Sequence, residues 1–343
     1  MGAVVSRRTV LGALAASPAF ALLGCGAPGG SAAAPATVRF ALDWTPNTNH
    51  TGLYVAQQQG WFRDAGLDVQ ILPYNSTSPD TIVSSGAAEF GISFQDSFTV
   101  SKAAGADITS VMAVLQHWGT AIGVKASRAD IASPKDLDGK VYGGFGAAYE
   151  VPKMRAVIEA AGGKGDFRTI VLGTSAYEAV YAGQADFTEP FLAWEGIEAE
   201  MRGEPFKTFR YSDFGFPDAY SIVVIANTPW LKANGDTATR FVQALQRGYQ
   251  LGADDPGQGA KLLTDANPGV FTEPDLVTRS QEMLAASYLK DARGKVGPQT
   301  AQQWSGYSGF VYDAKVLAGP DGAPLTARPD FGSWFTNDHL SAG

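Results

Sequence analysis

Val38-Arg39-Phe40-Ala41-Leu42-Asp43-Trp44 is an apolar run of strand character that ends on a turn, Thr45-Pro46-Asn47-Thr48-Asn49. Behind it, Gly52–Gln59 reads as a helix stopped at Gly60. Gly60-Trp61-Phe62-Arg63-Asp64-Ala65-Gly66 then leads into Leu67-Asp68-Val69, the start of an alternating strand over Leu67–Tyr74. Strand, helix and strand in so short a span make a βαβ unit. In open sheets built from such units, ligands collect outside the carboxyl ends of the strands. The Asp43–Asn49 turn lies at such an end.

The alternation continues along the chain. Pro79–Ser85 and Ser97–Ala104 read as helices on either side of a strand at Phe90–Phe94, and Ile108–His117 and Ala121–Lys125 read as strands. A second series opens at Ser133-Pro134-Lys135-Asp136-Leu137-Asp138-Gly139-Lys140. It has strands at Val141–Phe145, Thr169–Leu172 and Ala185–Phe187, and helices at Val151–Ala161 and Ala176–Ala182. Tyr220–Ala226 is a β-branched strand, and beyond Pro229 the chain turns helical at Thr237–Ala253, Gln258–Ala266 and Asp275–Leu289. This is an α/β chain with mostly parallel sheets expected.

Composition narrows the function. At 343 residues the chain fits about two domains of roughly 150 residues. Its single cysteine excludes an intrachain disulfide and any cysteine-rich zinc or iron–sulfur site. With 26 basic and 34 acidic residues, a net charge of -8 and no basic block, it lacks the positive footprint of a nucleic-acid binder. His50, His117 and His339 are scattered in sequence, which argues against a metal site unless folding gathers them, and no cofactor is expected.

The N-terminus reads as an address. Arg7-Arg8 precedes an uncharged run, Val10 to Leu23, too short for the roughly 20 residues of a membrane span. Residues 1–24 are read as an export signal, twin-arginine-like or Sec. Leu22-Leu23-Gly24-Cys25 resembles the lipobox of bacterial lipoproteins, with Cys25 acylated, and residues 25–37 form a small, flexible tether. Removing the signal loses Arg7 and Arg8 and no acid, so the net charge moves from -8 to -10.

Two segments resemble periplasmic solute-binding proteins of ABC importers: Gly60 to Val69, and Ser133 to Lys140 at the start of a second lobe. The resemblance implies a two-lobed periplasmic-binding-protein fold (type II) with the ligand in the interlobe cleft. Lobe one would take 38–124 and 227–343, lobe two 125–226, with crossings at Thr120–Ala126 and Ser221–Asn227. A sharper resemblance lies in Leu42-Asp43-Trp44-Thr45-Pro46-Asn47-Thr48-Asn49-His50-Thr51-Gly52-Leu53-Tyr54-Val55-Ala56. It is similar to the signature of the thiamine-pyrimidine-precursor family. That family holds bacterial binding proteins for formylaminopyrimidine-type compounds and fungal enzymes that make the thiamine pyrimidine, hydroxymethylpyrimidine synthases. The fungal enzymes carry a cysteine-rich cluster in the second lobe. Here Tyr142 to Glu150 has no cysteine. The resemblance therefore implies an extracytoplasmic binding lipoprotein and not an enzyme: a monomer, anchored to the membrane through Cys25 and delivering its ligand to an ABC permease. Riboflavin, an alkanesulfonate or nitrate stand as alternative solutes, and a pyrimidine-synthesising enzyme as the less favoured alternative function.

An aminopyrimidine is flat, with a ring-nitrogen acceptor beside an amine donor on its edge. Its site needs an aromatic platform and a few fixed polar groups. Trp44 is the candidate platform, unless it plugs the core. Asn47 and Asn49 offer mixed donors and acceptors, or build the turn. His50 is a ligand contact or a loop brace. Phe94 can line the cleft, while Asp96 or Ser97 reads as a helix cap. Gly143-Gly144-Phe145-Gly146 offers main-chain amides to an anion, which would bring Tyr149 and Glu150 to the cleft mouth. Glu189 can accept from an amine and a protonated ring nitrogen together, although the family often has an aromatic residue near there. Trp194 can stack from lobe two, and Tyr177 is a weaker candidate.

Overall fold

Ten strands form two five-stranded sheets in this computed structural model, which describes residues 34–341. The export signal and the lipobox cysteine lie outside the described residues. Strand pairing begins at Ala36, two residues inside the segment read from sequence as a tether.

The first sheet uses β1 (Ala36–Ala41), β2 (Leu67–Leu72), β3 (Phe90–Ser93), β4 (Ile108–Leu115) and, from far along the chain, β10 (Ile222–Asn227), in the order β2-β1-β3-β10-β4. The second uses β5 (Ile122–Lys125), β6 (Val141–Gly144), β7 (Arg168–Val171), β8 (Phe187–Thr188) and β9 (Phe206–Phe209), in the order β7-β6-β8-β5-β9. Both sheets are mixed, not mostly parallel. β1 runs parallel to β2 and β3, and β6 to β7 and β8. β10 is antiparallel to β3 and β4, and β5 to β8 and β9.

The reversal follows from the crossings. The chain leaves β4 at its carboxyl end, crosses through 116–121, and starts β5 at the same cleft. It returns from β9 through 210–221 to start β10 there. A strand that begins at the cleft must run against strands that end at it. β5 therefore belongs wholly to the second sheet and β10 wholly to the first. The division falls a few residues before each of the boundaries expected from sequence. Hydrophobic pattern cannot assign a fully buried strand to one sheet or the other.

Each sheet is covered by helices that bury its apolar faces. In the first lobe Phe241 lies between Phe90 and Phe62, with ring centroids 4.4 and 5.4 Å away. In the second, Tyr142 and Phe187 pack 5.2 Å apart under the helix Glu150–Ala160. The expected strands and helices form within a few residues of their predicted ends. Several elements have no counterpart in the sequence reading, among them β9, the segment Leu192–Met201 and the helix Ala301–Asp313. The last is punctuated by Gly306 and Gly309, which mask its period; Trp304 anchors it, fully buried against Phe98. Among the described residues, no helix is long and apolar enough to cross a membrane.

One helix contact sets where the first-lobe turn can sit. Gly52, in the helix Thr51–Gln58, meets Gly248, in the helix Gly235–Asp254, so closely that a Cβ on Gly248 would stand 2.0 Å from the Gly52 carbonyl oxygen. Next to it, the Tyr249 hydroxyl donates to the Asn49 carbonyl oxygen at 2.6 Å. Gly248→Ala is expected to cost about 1–3 kcal/mol in urea unfolding, as overpacking does. Gly235→Ala, where nothing lies within 4 Å, should stay within about 0.5 kcal/mol. Equal midpoints for the two variants would refute this account of the helix contact.

Candidate functional site

Between the sheets lies a cavity of ≈190 Å³. It is smaller than the roughly 300–1,000 Å³ of drug-sized sites, and so suits a single small ring with its substituents. A larger groove of ≈860 Å³ lies on lobe one between Trp61, Arg247, Arg293, Lys295 and Leu340. Its arginines and lysine are exposed and no residue of the second sheet contributes to it. The interlobe cavity, where both sheets end and polar groups converge, is the candidate site.

Its aromatic wall starts at the turn after β1. Trp44 is half-buried, stacks on Tyr74 at 5.5 Å and presents an edge contact to Phe145 at 6.1 Å. Phe145 in turn tilts against Tyr177 at 5.7 Å. Trp44 is therefore part of the wall and not a core plug. Phe94, Tyr149 and Trp194 line the same space. So do Trp118, Phe145, Tyr177 and Phe191, of which the sequence reading named only Tyr177, and that weakly. Trp118 sits in the first crossing, a position that composition and period do not mark.

Asn47 and Asn49 reach the cavity by different means. The Asn47 carboxamide is used within the turn: its oxygen accepts from the Asn49 N–H at 2.9 Å and its nitrogen donates to the Thr45 carbonyl at 3.1 Å. The Asn49 carboxamide has no hydrogen-bonding partner among the described residues and lines the cavity. His50 is completely buried and does not line it. The Asn47 N–H donates to His50 Nδ1 at 3.3 Å, which leaves the proton on Nε2, and Nε2 donates to Asp43 Oδ1 at 2.7 Å. His50 is thus the brace of the turn, and Asp43 is the group that faces inward.

Glu150 also stands behind the wall. Its carboxylate accepts from the N–H groups of Phe145, Gly146 and Ala147 at 3.1–3.3 Å. Gly144 leaves room for it, since a Cβ there would lie 2.4 Å from Glu150 Oε2. The amides that sequence offered to an anionic ligand are therefore taken by the protein's own carboxylate.

Three charges lock together at the back of the cavity. Lys153 Nζ, from the helix Glu150–Ala160, lies 2.5 Å from Glu189 Oε1 and 3.1 Å from Asp96 Oδ2, on the helix Gln95–Ala103 of the other lobe. Trp118, Tyr149 and Tyr211 put their ring centroids 5.0–5.2 Å from the ammonium. Burial works against the ammonium, but Glu189 and Asp96 outweigh it and hold its pKa above the ordinary lysine value. Burial raises Asp96 above the usual carboxylate range, with Lys153 pulling the other way. Asp96 is thus a member of this lock; the cap expected of it is only a local contact to the Ser97 N–H at 2.8 Å. Glu189 also accepts from the Thr120 hydroxyl at 2.8 Å, so one of its oxygens is doubly committed inside the protein.

Glu195 is the opposite case. It lines the cavity, is 9% exposed, and sits in a single turn of π-helix, Leu192–Gly196. Its Oε2 accepts from the Phe191 N–H at 3.1 Å, and no cation pairs with it among the described residues. Burial pushes its carboxyl up to about 8. No cluster of His, Cys, Asp and Glu among the described residues could hold a metal.

Residues 47–259 match the family described as NMT1/THI5 like. The chain is 28% identical to the formylaminopyrimidine-binding protein of Halalkalibacterium halodurans, over 78% of this chain and 82% of that one. It is 21% identical to a 4-amino-5-hydroxymethyl-2-methylpyrimidine phosphate synthase of Saccharomyces cerevisiae, over 89% and 88%. The alkanesulfonate-binding protein SsuA of Xanthomonas axonopodis pv. citri shares the fold, with a TM-score of 0.63 at 18% identity over 84% and 96%. These relatives correct one expectation. Proteins named as synthases align along most of the chain, one from Legionella pneumophila at 26% identity, so the exclusion of catalysis drawn from the missing cysteines does not stand.

Removing one partner from a buried ion cluster strands the others. Lys153→Met is expected to cost about 3–5 kcal/mol in urea unfolding. Adding Asp96→Asn and Glu189→Gln should recover at least half of the loss. A Lys153→Met protein as stable as the parent would show that the ammonium is not the compensating charge.

Proposed function

We propose that this chain, which belongs to the NMT1/THI5-like family, captures a thiamine-pyrimidine precursor of the formylaminopyrimidine or hydroxymethylpyrimidine type in its interlobe cavity, for delivery to an ABC permease. The proposal includes export under the N-terminal signal, acylation at Cys25 and action as a monomer on the outer face of the membrane. The relative from Halalkalibacterium halodurans, named for formylaminopyrimidine, supports the ligand class.

The observation that carries the reading is the cavity's polarity. Aromatic faces surround it, four carboxyl side chains (Asp43, Asp96, Glu189 and Glu195) line it, and the cation behind it, Lys153, is already paired. Such a site favours a flat ring whose edge carries an amine. It disfavours a sulfonate, a nitrate or another anion, because the amides of 145–147 are occupied by Glu150. A three-ring flavin fits a space of ≈190 Å³ poorly. In this reading Trp44, Phe94, Tyr149 and Trp194 hold the ring faces, Asn49 meets a polar substituent, and Asn47, its carboxamide held within the turn, lines the slot beside it. Glu189 shapes the rim through Thr120 and Lys153. His50 and Glu150 act one layer back, by fixing the two loops.

Calorimetric titration of the purified protein should give saturable binding of formylaminopyrimidine or 4-amino-5-hydroxymethyl-2-methylpyrimidine and none of ethanesulfonate. Trp44→Ala should weaken the pyrimidine by about tenfold or more, the loss of a stacking face and its buried area. Failure of both pyrimidines to bind would remove the proposal.

A further inference from the structure

Two glutamates line one cavity, and the protein treats them differently. Glu189 is held by Lys153 at 2.5 Å and Thr120 at 2.8 Å. Among the described residues Glu195 has only the main chain: the Phe191 N–H reaches its Oε2 at 3.1 Å. From sequence Glu189 was the carboxylate expected to meet the ligand's edge. The structure leaves that task to Glu195.

The charged groups packed around Glu195 give it no counterion. Glu198 follows it on the helix Ile197–Met201, and Glu178 stands with Tyr177 and Tyr181 on the helix Ala176–Tyr181. Arg202 is turned to Glu198, and Arg279 of the helix Pro274–Ser287 is turned to Glu200. Across the cavity stand Asp43, held by His50, and Asp96 and Glu189, held by Lys153. A buried carboxylate among acids and aromatic rings is strongly disfavoured, so the group stays protonated. Its burial-raised pKa, about 8, agrees with the geometry.

We propose that Glu195 reads the ligand as a neutral carboxylic acid, donating its hydroxyl from Oε1 to an unprotonated ring nitrogen while its carboxyl group accepts from the neighbouring amine. The Phe191 N–H marks Oε2 as the acceptor oxygen, which leaves the proton on Oε1. The complementary ligand is a neutral amino-substituted heteroaromatic ring, in which a donor and an acceptor sit side by side. A permanently charged ring, or one protonated at that nitrogen, offers no acceptor to the acid. This inference rests on the proposed binding of an aminopyrimidine and names the group that would select its protonation state.

The test is the pH dependence of binding, with 4-amino-5-hydroxymethyl-2-methylpyrimidine as the probe, between pH 6.5 and 9.5. Above about pH 8 the acid must take up a proton to bind, so affinity should fall by about tenfold per pH unit. Glu195→Gln, which can donate and accept but cannot ionise, should flatten that fall, and Glu195→Leu should weaken binding at pH 7 by at least tenfold. Ligand-free protein supplies a second readout. A carboxyl whose folded pKa lies above its unfolded value contributes stability that is full below the unfolded value and is lost as pH rises through the folded one. The urea midpoint should therefore drop between pH 5 and pH 9, and Glu195→Gln should lessen the drop. Affinity that rises with pH, or parallel profiles for parent and Glu195→Gln in both measurements, would overturn the proposal. If the probe does not bind at any pH, the pyrimidine reading fails and the ligand-free titration alone decides whether Glu195 is a neutral acid.

Discussion

A single ammonium group, buried with two carboxylates, ties the two lobes together. Lys153 pairs with Glu189 from its own lobe and Asp96 from the other, and the rings of Trp118 and Tyr211, one from each crossing, flank it. Five separate parts of the chain must therefore be in register for one charge to be compensated. Such clusters are weak sources of net stability, because desolvation offsets most of the attraction. They are costly to break halfway, however, and this makes the arrangement specific. Any motion that parts the lobes has to separate Lys153 from Asp96 and expose both to water.

The topology makes that arrangement possible. Eight strands end at the cleft, and the remaining two, β5 and β10, start there. The helices that follow β3 and β6 begin at the cleft as a result, and Asp96 and Lys153 lie in their first turns. The crossings are short and pass beside the same point. A ligand that fills the cavity touches residues from both lobes and both crossings, so its contacts are complete only with the lobes together. Binding and closure are then one equilibrium, driven by the better fit of the closed form.

Much of this was legible in the residues. The βαβ rhythm of Val38 to Val69 identified the fold class, and the Asp43–Asn49 turn identified the end of the sheet where the cavity lies. The limits have physical causes. β5 and β10 are short, mostly apolar strands, and burial on both faces erases the alternation that would assign them. Asp96 reads as a helix cap because its real partner, Lys153, is 57 residues away in sequence. Glu150 and Glu189 carry the same side chain as Glu195, and nothing local distinguishes the one that binds amides, the one that binds an ammonium and the one left alone. His50 stands out in the sequence as a ligand contact or a brace, and the brace depends on the Asn47 N–H meeting Nδ1, a geometry that appears only once the turn is folded.

Under the proposed function, these separate fates set the cavity's selectivity. A strand-to-helix junction rich in glycine is a natural seat for an anion, since its amides converge. Here Glu150 fills that seat, and Gly144 is small enough to let it in. Among the described residues, the one basic side chain at the back of the site is neutralised from within. Both devices that would hold a negatively charged solute are thus closed by the protein's own acids, while Asn49 and Glu195 keep polar groups uncommitted on the inner surface. The same fold can carry an anion in relatives with other side chains, because the sheet ends supply position and the residues set there supply charge. In this chain those residues leave an aromatic slot with a polar edge, and in the proposed reading discrimination rests on which hydrogen-bonding pattern a flat ring presents to it.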